Sequence, residues 1–223
     1  MEYTIIRSER KTAVLRVGDG LVEVRAPMNM PESAIDRFVT SKEDWINERL
    51  ERLKEQRRMR DEFTVDYGGT LTYRGKDYPI TERDGDLAEF DGESFCIPPN
   101  LSADQVKAAC VQIYLALAKQ HLTERTLEYA EKTPVSPAGI KINKSRARWG
   151  SCCAKKIINL SWYLIMADDD VSDYVIVHEL AHLIEMNHSK QFWAVVESIL
   201  PDYKERRKKL KELHNRLNGE NWE

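Results

Sequence analysis

Long apolar runs are missing from this 223-residue chain. Nowhere is there an uncharged stretch of about 18 apolar residues, which excludes a membrane-spanning helix from the reading. The opening segment, MEYTIIRSERKTAVLRV, carries charges where a secretory leader needs its apolar stretch. Cysteine is scarce: the four are Cys96, Cys110, Cys152 and Cys153. Their spacing fits neither a disulfide framework nor a Cys-x-x-Cys zinc knuckle. These absences point to a reducing cytoplasm and to no membrane partner. Internal repeats and low-complexity tracts are also lacking. The net charge of -3 is spread over interleaved acidic and basic residues, so it selects no partner by itself. Oligomeric state leaves no signal.

What is present is globular. Hydrophobic residues make up 42% and charged residues 32%, enough to build a core under a solvated surface. YTIIRS, TAVLRV and LVEVRA read as three short strands of an antiparallel meander, with Gly18, Asp19 and Gly20 turning the second into the third. Pro31 and Ser33 open a charged helical stretch that runs to about Phe63, with Ile35, Phe38, Val39, Trp45, Ile46, Leu50 and Leu53 as its apolar stripe. Strand-like alternation returns over residues 63–98. Ser102 is placed to cap a long amphipathic helix that stops before Pro134. Two more strands, GIKINKSRARW and KIINLSWYLI, flank a turn at Gly150 to Ala154. This predicts an N-terminal β-rich part over residues 1–100 with one charged helix, and a helix-plus-strand part over 101–223.

The chemistry lies in VSDYVIVHELAHLIEMNHSKQFW. Asp170 reads as an N-cap and Asp173 as a favourable first-turn acid, with Val171, Tyr174, Val175, Ile176 and Leu180 forming a buried back. At about 100° per residue, His178 and His182 lie about 40° apart, and Glu179 is about 60° from His182. Two imidazoles at this spacing can bind one Zn²⁺, leaving the carboxylate to take a proton from a water at the metal. A catalytic zinc usually has a third protein ligand, and His188 is the candidate. On a continuing helix it would sit about 9 Å further along and about 120° around, out of reach. The chain must therefore turn, and Asn187 is the predicted left-handed helix-ending residue. Ser189 then opens another helix, KQFWAVVESILP. Three of the five histidines fall within this segment; His121 and His214 read as ordinary surface or core residues.

Four motifs in order carry a resemblance. They are KSRARWGSC (Lys144–Cys152), INLSWYLI (Ile158–Ile165), YVIVHELAHL (Tyr174–Leu183) and NHSKQFW (Asn187–Trp193). They resemble the YgjP-like metallopeptidase family, a gluzincin-like group related to the SprT and WLM families. The resemblance is strongest over residues 140–205 and reaches more loosely toward the N-terminus. It implies an α+β, zincin-like fold with a mixed or antiparallel sheet, an active-site helix and an N-terminal β-rich extension. It also implies Zn²⁺ held by His178, His182 and His188, with Glu179 as general base and a peptide or protein as substrate. A metzincin is a poorer match, because position 185 is Glu where that family has glycine and no methionine follows Met186.

Two further readings stay open. Some members of the resembled family carry a UTP pyrophosphatase label, and a nucleotide can be seated by Arg146 and Arg148, which fall on one face of a strand read through KINKSRARWGSC. Against this, no Walker A loop is present, and Arg148 can equally pair with a local carboxylate while Trp149 packs. The basic run Lys204 to Lys211 and the SprT kinship suggest a module acting on DNA-associated proteins. Leu210, Leu213 and Leu217 make an ordinary helix face the simpler reading, and nucleic acid the less favoured partner.

Overall fold

Which of three short strands takes the middle of a sheet depends on which has the most apolar surface to bury. In the N-terminal segment that strand is β3 (Leu21–Pro27), whose Val22, Val24 and Ala26 are almost wholly buried. The computed structural model describes residues 1–18 and 20–222, so Asp19 of the predicted turn lies outside the described residues. β1 (Thr4–Ser8) and β2 (Val14–Gly18) are half exposed and flank β3 in the order β1-β3-β2. β2 pairs antiparallel with β3, but β1 pairs parallel. The expected meander is thus corrected: β3 displaces β2 from beside β1 because it has the longest and most deeply buried apolar face.

The charged helix is two helices, α1 (Glu32–Thr40) and α2 (Glu43–Glu62). The break is local. Ser41 Oγ donates to the Phe38 carbonyl at 2.7 Å, and the Lys42 amide bonds back to Val39 at 2.9 Å, closing the helix in a tight turn. Ile35 and Val39 before the break and Ile46 after it join the β3 side chains in one core. These residues, Met1–Phe63 with Asn218–Asn221, form one compact unit; Thr64–Leu217 with Trp222 belongs to the second.

In the second unit β4 (Thr70–Tyr73), β5 (Lys76–Glu82), β6 (Glu89–Phe90) and β7 (Phe95–Ile97) form a sheet of order β4-β5-β7-β6. The central helix is α3 (Ala103–Ala130). Its Ser102 cap is reciprocal: Ser102 accepts from the Gln105 amide while Gln105 accepts from the Ser102 amide. Val106, Cys110, Ile113, Tyr114, Ala118 and Leu122 form its buried stripe.

β8 (Gly139–Asn143), β9 (Gly150–Cys152) and β10 (Ile157–Ser161) make a third sheet, ordered β8-β10-β9. β10 runs parallel to β8 and antiparallel to β9, so the sheet is mixed. Both predicted strands were too long. β8 stops at Asn143 because its side-chain oxygen takes the Ser145 amide at 2.9 Å, turning the chain. Residues 144–149 are therefore not strand, and the predicted alternation of Arg146 and Arg148 on one face does not exist. β10 ends at Ser161, and Trp162–Met166 form a buried 3₁₀ turn against α3. Three helices complete the unit: α4 (Asp169–Ala181), α5 (Lys190–Ile199) and α6 (Tyr203–Leu217). The architecture is mixed α+β, and no helix among the described residues is long and apolar enough to cross a membrane.

Candidate metal centre

A helix can hold a reactive constellation only if the helix itself is fixed, and α4 is anchored at several points. Its N-cap is Asp168 rather than the predicted Asp170, and the Asp168 side chain makes no capping bond. The first turn is held from outside instead. Arg74 grips the Asp169 carboxylate, and its amide donates to the Ile165 carbonyl at 2.8 Å. Lys209 of α6 meets Asp170 at 2.6 Å. Arg74 beside Asp169 holds that carboxyl below its ordinary range.

Asp173, read as a favourable first-turn acid, also makes contacts beyond its own helix. It is buried, and accepts from Arg125 Nε at 3.0 Å, Arg125 Nη2 at 2.6 Å and the Tyr129 hydroxyl at 2.8 Å. Asp173 thus ties α4 to α3.

Downstream, the helix ends at His182, before the predicted stop at Asn187. Its last turn tightens: Leu183 bonds to Leu180 at 2.9 Å and Ile184 to Ala181 at 3.0 Å. Asn187 has no positive φ, so no left-handed cap is involved. The His182 ring reaches the Glu185 carbonyl through Nδ1 at 3.2 Å, which fixes the imidazole. Ser189 caps α5 as expected, accepting from the Phe192 amide at 3.3 Å.

This turn brings the three histidines together. One ring nitrogen from each of His178, His182 and His188 lies within 4.8 Å of the others. His178 Nε2 and His188 Nε2 are 3.1 Å apart. Two ligands bound at 2.0–2.1 Å in a tetrahedral shell would be about 3.3 Å apart, so the donor set fits one metal ion. Ring centroids are separated by 4.7 to 5.0 Å. Phe192, fully buried, packs against all three rings at 4.6 to 4.9 Å and forms a rigid apolar floor.

Burial sets the charge states. Desolvation, helped by the neighbouring His182 and His188, pushes the His178 pKa down to about 3. His182 is lowered too, chiefly by burial. Metal coordination requires neutral imidazole, so these shifts favour it. Glu179 is 5% exposed, and burial pushes its carboxyl up to about 7. His178 Nδ1 and Glu179 Oε2 are buried with no hydrogen-bond partner among the described residues. A buried carboxylate left unpaired is costly for stability and typical of a functional site.

Edge strand β9 packs against α4. Gly150 is there for space: a Cβ on it would lie 2.6 Å from Glu179 Oε1 and 2.7 Å from its Cγ. Gly150→Ala is therefore expected to displace Glu179 and lower hydrolysis at least tenfold, since misplacement of about 1 Å can cost 100-fold. Metal stoichiometry measured on the same variant should stay at the wild-type value.

The two arginines are not brought together as a pair. Arg146 donates to the Leu217 carbonyl at 2.7 Å and lies over the Tyr163 ring, whereas Arg148 is exposed with its amide bonded to Ser145 Oγ at 3.3 Å. Trp149 is half-buried against the edge of His214, and His121 faces Asp169 at 3.3 Å. The basic run on α6 is partly committed as well, with Arg206 bonded to Asp202 and to the Asp170 carbonyl. Phe192 was legible only as an apolar helix position, and Gly150 only as a turn residue. Neither carries a sequence signal of its place at the site.

A buried helix presenting two imidazoles and a tight turn presenting a third form a cluster that could hold one metal ion. The chain belongs to the YgjP-like metallopeptidase domain family, whose model matches residues 11–213. Membership suggests a metal-dependent hydrolase. No curated protein matches the sequence.

Proposed function

We propose that the protein is a zinc metallopeptidase of zincin type, with His178, His182 and His188 holding the metal and Glu179 acting as general base. The observation that carries this reading is Glu179 itself, a buried carboxylate with an oxygen that has no partner among the described residues, next in the chain to His178 of the three-histidine cluster. Zinc bound there supplies Lewis acidity, polarising a scissile carbonyl and lowering the pKa of a water toward about 7. Glu179, with its own pKa near 7, is matched to accept the proton of that water and return it to the leaving amine. Phe192 keeps the three rings in register and excludes water from beneath them. Gly150 lets β9 approach the base. Among the described residues β9 pairs with β10 alone, so in this reading its other edge takes an extended peptide by backbone pairing. Arg146, bonded to the end of α6, serves packing in this reading.

The test is a hydrolysis screen on zinc-loaded protein against peptide libraries and a nucleotide panel, with Glu179→Gln as control. Peptide cleavage that disappears in the variant supports the reading. Pyrophosphate release without peptide cleavage would move the substrate to nucleotides and leave the metal centre in place.

A further inference from the structure

One basic residue of α6 lies against an aromatic ring that borders the three histidines. Arg206 is paired with Asp202, and Lys209 with Asp170. Arg207 is exposed and has no carboxylate within ion-pairing distance among the described residues. Its guanidinium lies over the Trp193 ring, 5.8 Å from the centroid. The same ring stacks on Tyr203 at 5.3 Å and 20°, one helical turn before Arg207. Trp193 in turn lies 5.9 Å from the His188 ring and 6.0 Å from the His178 ring. Arg207 is therefore one aromatic ring away from the metal centre. Its charge bears on both His178 and Tyr174.

A guanidinium seated on an indole loses little freedom when it binds, and its fork matches a carboxylate with two hydrogen bonds. Cations near a site are usually neutralised by a protein carboxylate. This one is not, and the Tyr203–Trp193 stack fixes where it sits.

We propose that Arg207, held over Trp193 beside the three-histidine cluster, forms a subsite for a carboxylate of the peptide substrate, its free C-terminus or an acidic side chain near the scissile bond. The proposal rests on the metallopeptidase reading and names a substrate class within it. Arg207 binds and positions; it takes no proton and forms no bond in the reaction.

Two measurements test it. The first compares hydrolysis of short peptides ending in a free acid or an amide, with and without an internal glutamate, by wild type, Arg207→Ala and Arg207→Lys. Expected in the wild type is a preference of roughly 10- to 100-fold for the peptide with the correctly placed carboxylate, expressed in KM, as a charge-assisted hydrogen bond provides. The alanine variant should lose the preference and treat acid and amide peptides alike, and the lysine variant should regain part of it. The second measurement follows binding of an N-acetylated dipeptide, acid against amide, to Glu179→Gln by isothermal titration, which needs no turnover. If no peptide is cleaved but the acid still binds more tightly in an Arg207-dependent way, the peptidase reading fails and the subsite stands. Acid and amide treated alike by wild type and Arg207→Ala would overturn the proposal. So would pyrophosphate release from nucleotides that depends on Arg207 with no preference among peptides, because the anion would then be a phosphate.

Discussion

Glu179→Gln is expected to lower hydrolysis by about 10²- to 10⁴-fold, the usual contribution of a general base, while metal content stays at the wild-type value. The same substitution is expected to stabilise the metal-free protein at alkaline pH. The sign follows from proton linkage. Burial raises the Glu179 carboxyl from its ordinary 4.5 to about 7. Between those values the folded chain holds a proton that the unfolded chain has released, so stability falls as pH rises through that window. By pH 8 the full cost of a buried, unpaired carboxylate is present, on the order of 3 kcal/mol. Glutamine cannot ionise, but its amide is still short of partners, so the net gain in the variant is on the order of 2 kcal/mol. His178 works in the opposite direction: with its pKa pushed from 6.5 to about 3, stability falls as pH drops through that range. The two slopes oppose each other between pH 4.5 and 6.5. Urea unfolding of chelator-treated protein across pH reads both. A variant that loses activity and also loses stability at pH 8 would show Glu179 to be structural.

The second large effect is expected at Asp173. Asp173→Ala removes the acceptor for Arg125 Nε and Nη2 and for the Tyr129 hydroxyl, leaving Arg125 with Glu128 as its remaining carboxylate partner. Breaking a buried ion pair from one side costs about 3 to 5 kcal/mol. Arg125 retains 29% side-chain exposure and can turn to water, which places the loss at the lower end, about 3 kcal/mol. Because Asp173 sits five residues before His178 on the same helix, zinc affinity should weaken along with stability. Arg125→Gln, which leaves Asp173 bonded to the Tyr129 hydroxyl, should cost less. Unfolding free energies of the two variants, measured with and without zinc, check the ranking. Equal losses would show that Asp173 is not the centre of the network.

The parts of this site that were legible in the sequence are those set by helix periodicity. His178, Glu179 and His182 follow from 3.6 residues per turn on a helix with an apolar back. The need for a turn before His188 was legible too, because a continuing helix carries it away. The turn's chemistry was not. Asn187 is the residue a sequence reading selects, yet the helix ends through tightened bonds from Leu183 and Ile184 and through the His182 ring meeting the Glu185 carbonyl. Contacts between residues remote in sequence account for most of the remaining differences. Asp173 finds Arg125 on α3, and Gly150 finds Glu179 across the β9 edge. Strand order in the N-terminal sheet likewise depends on which strand has the most apolar face, and short-range patterning favoured the simpler meander. The extra strand length read into KSRARW failed for a local reason, since Asn143 turns the chain with its own side chain.

The most direct test of the three-imidazole centre is zinc K-edge X-ray absorption of the loaded protein, wild type and Glu179→Gln side by side. Three histidine nitrogens at about 2.0 to 2.1 Å are expected in both proteins, with no sulfur in the shell. Only two imidazoles, or a sulfur at about 2.3 Å from nearby Cys152, would contradict it.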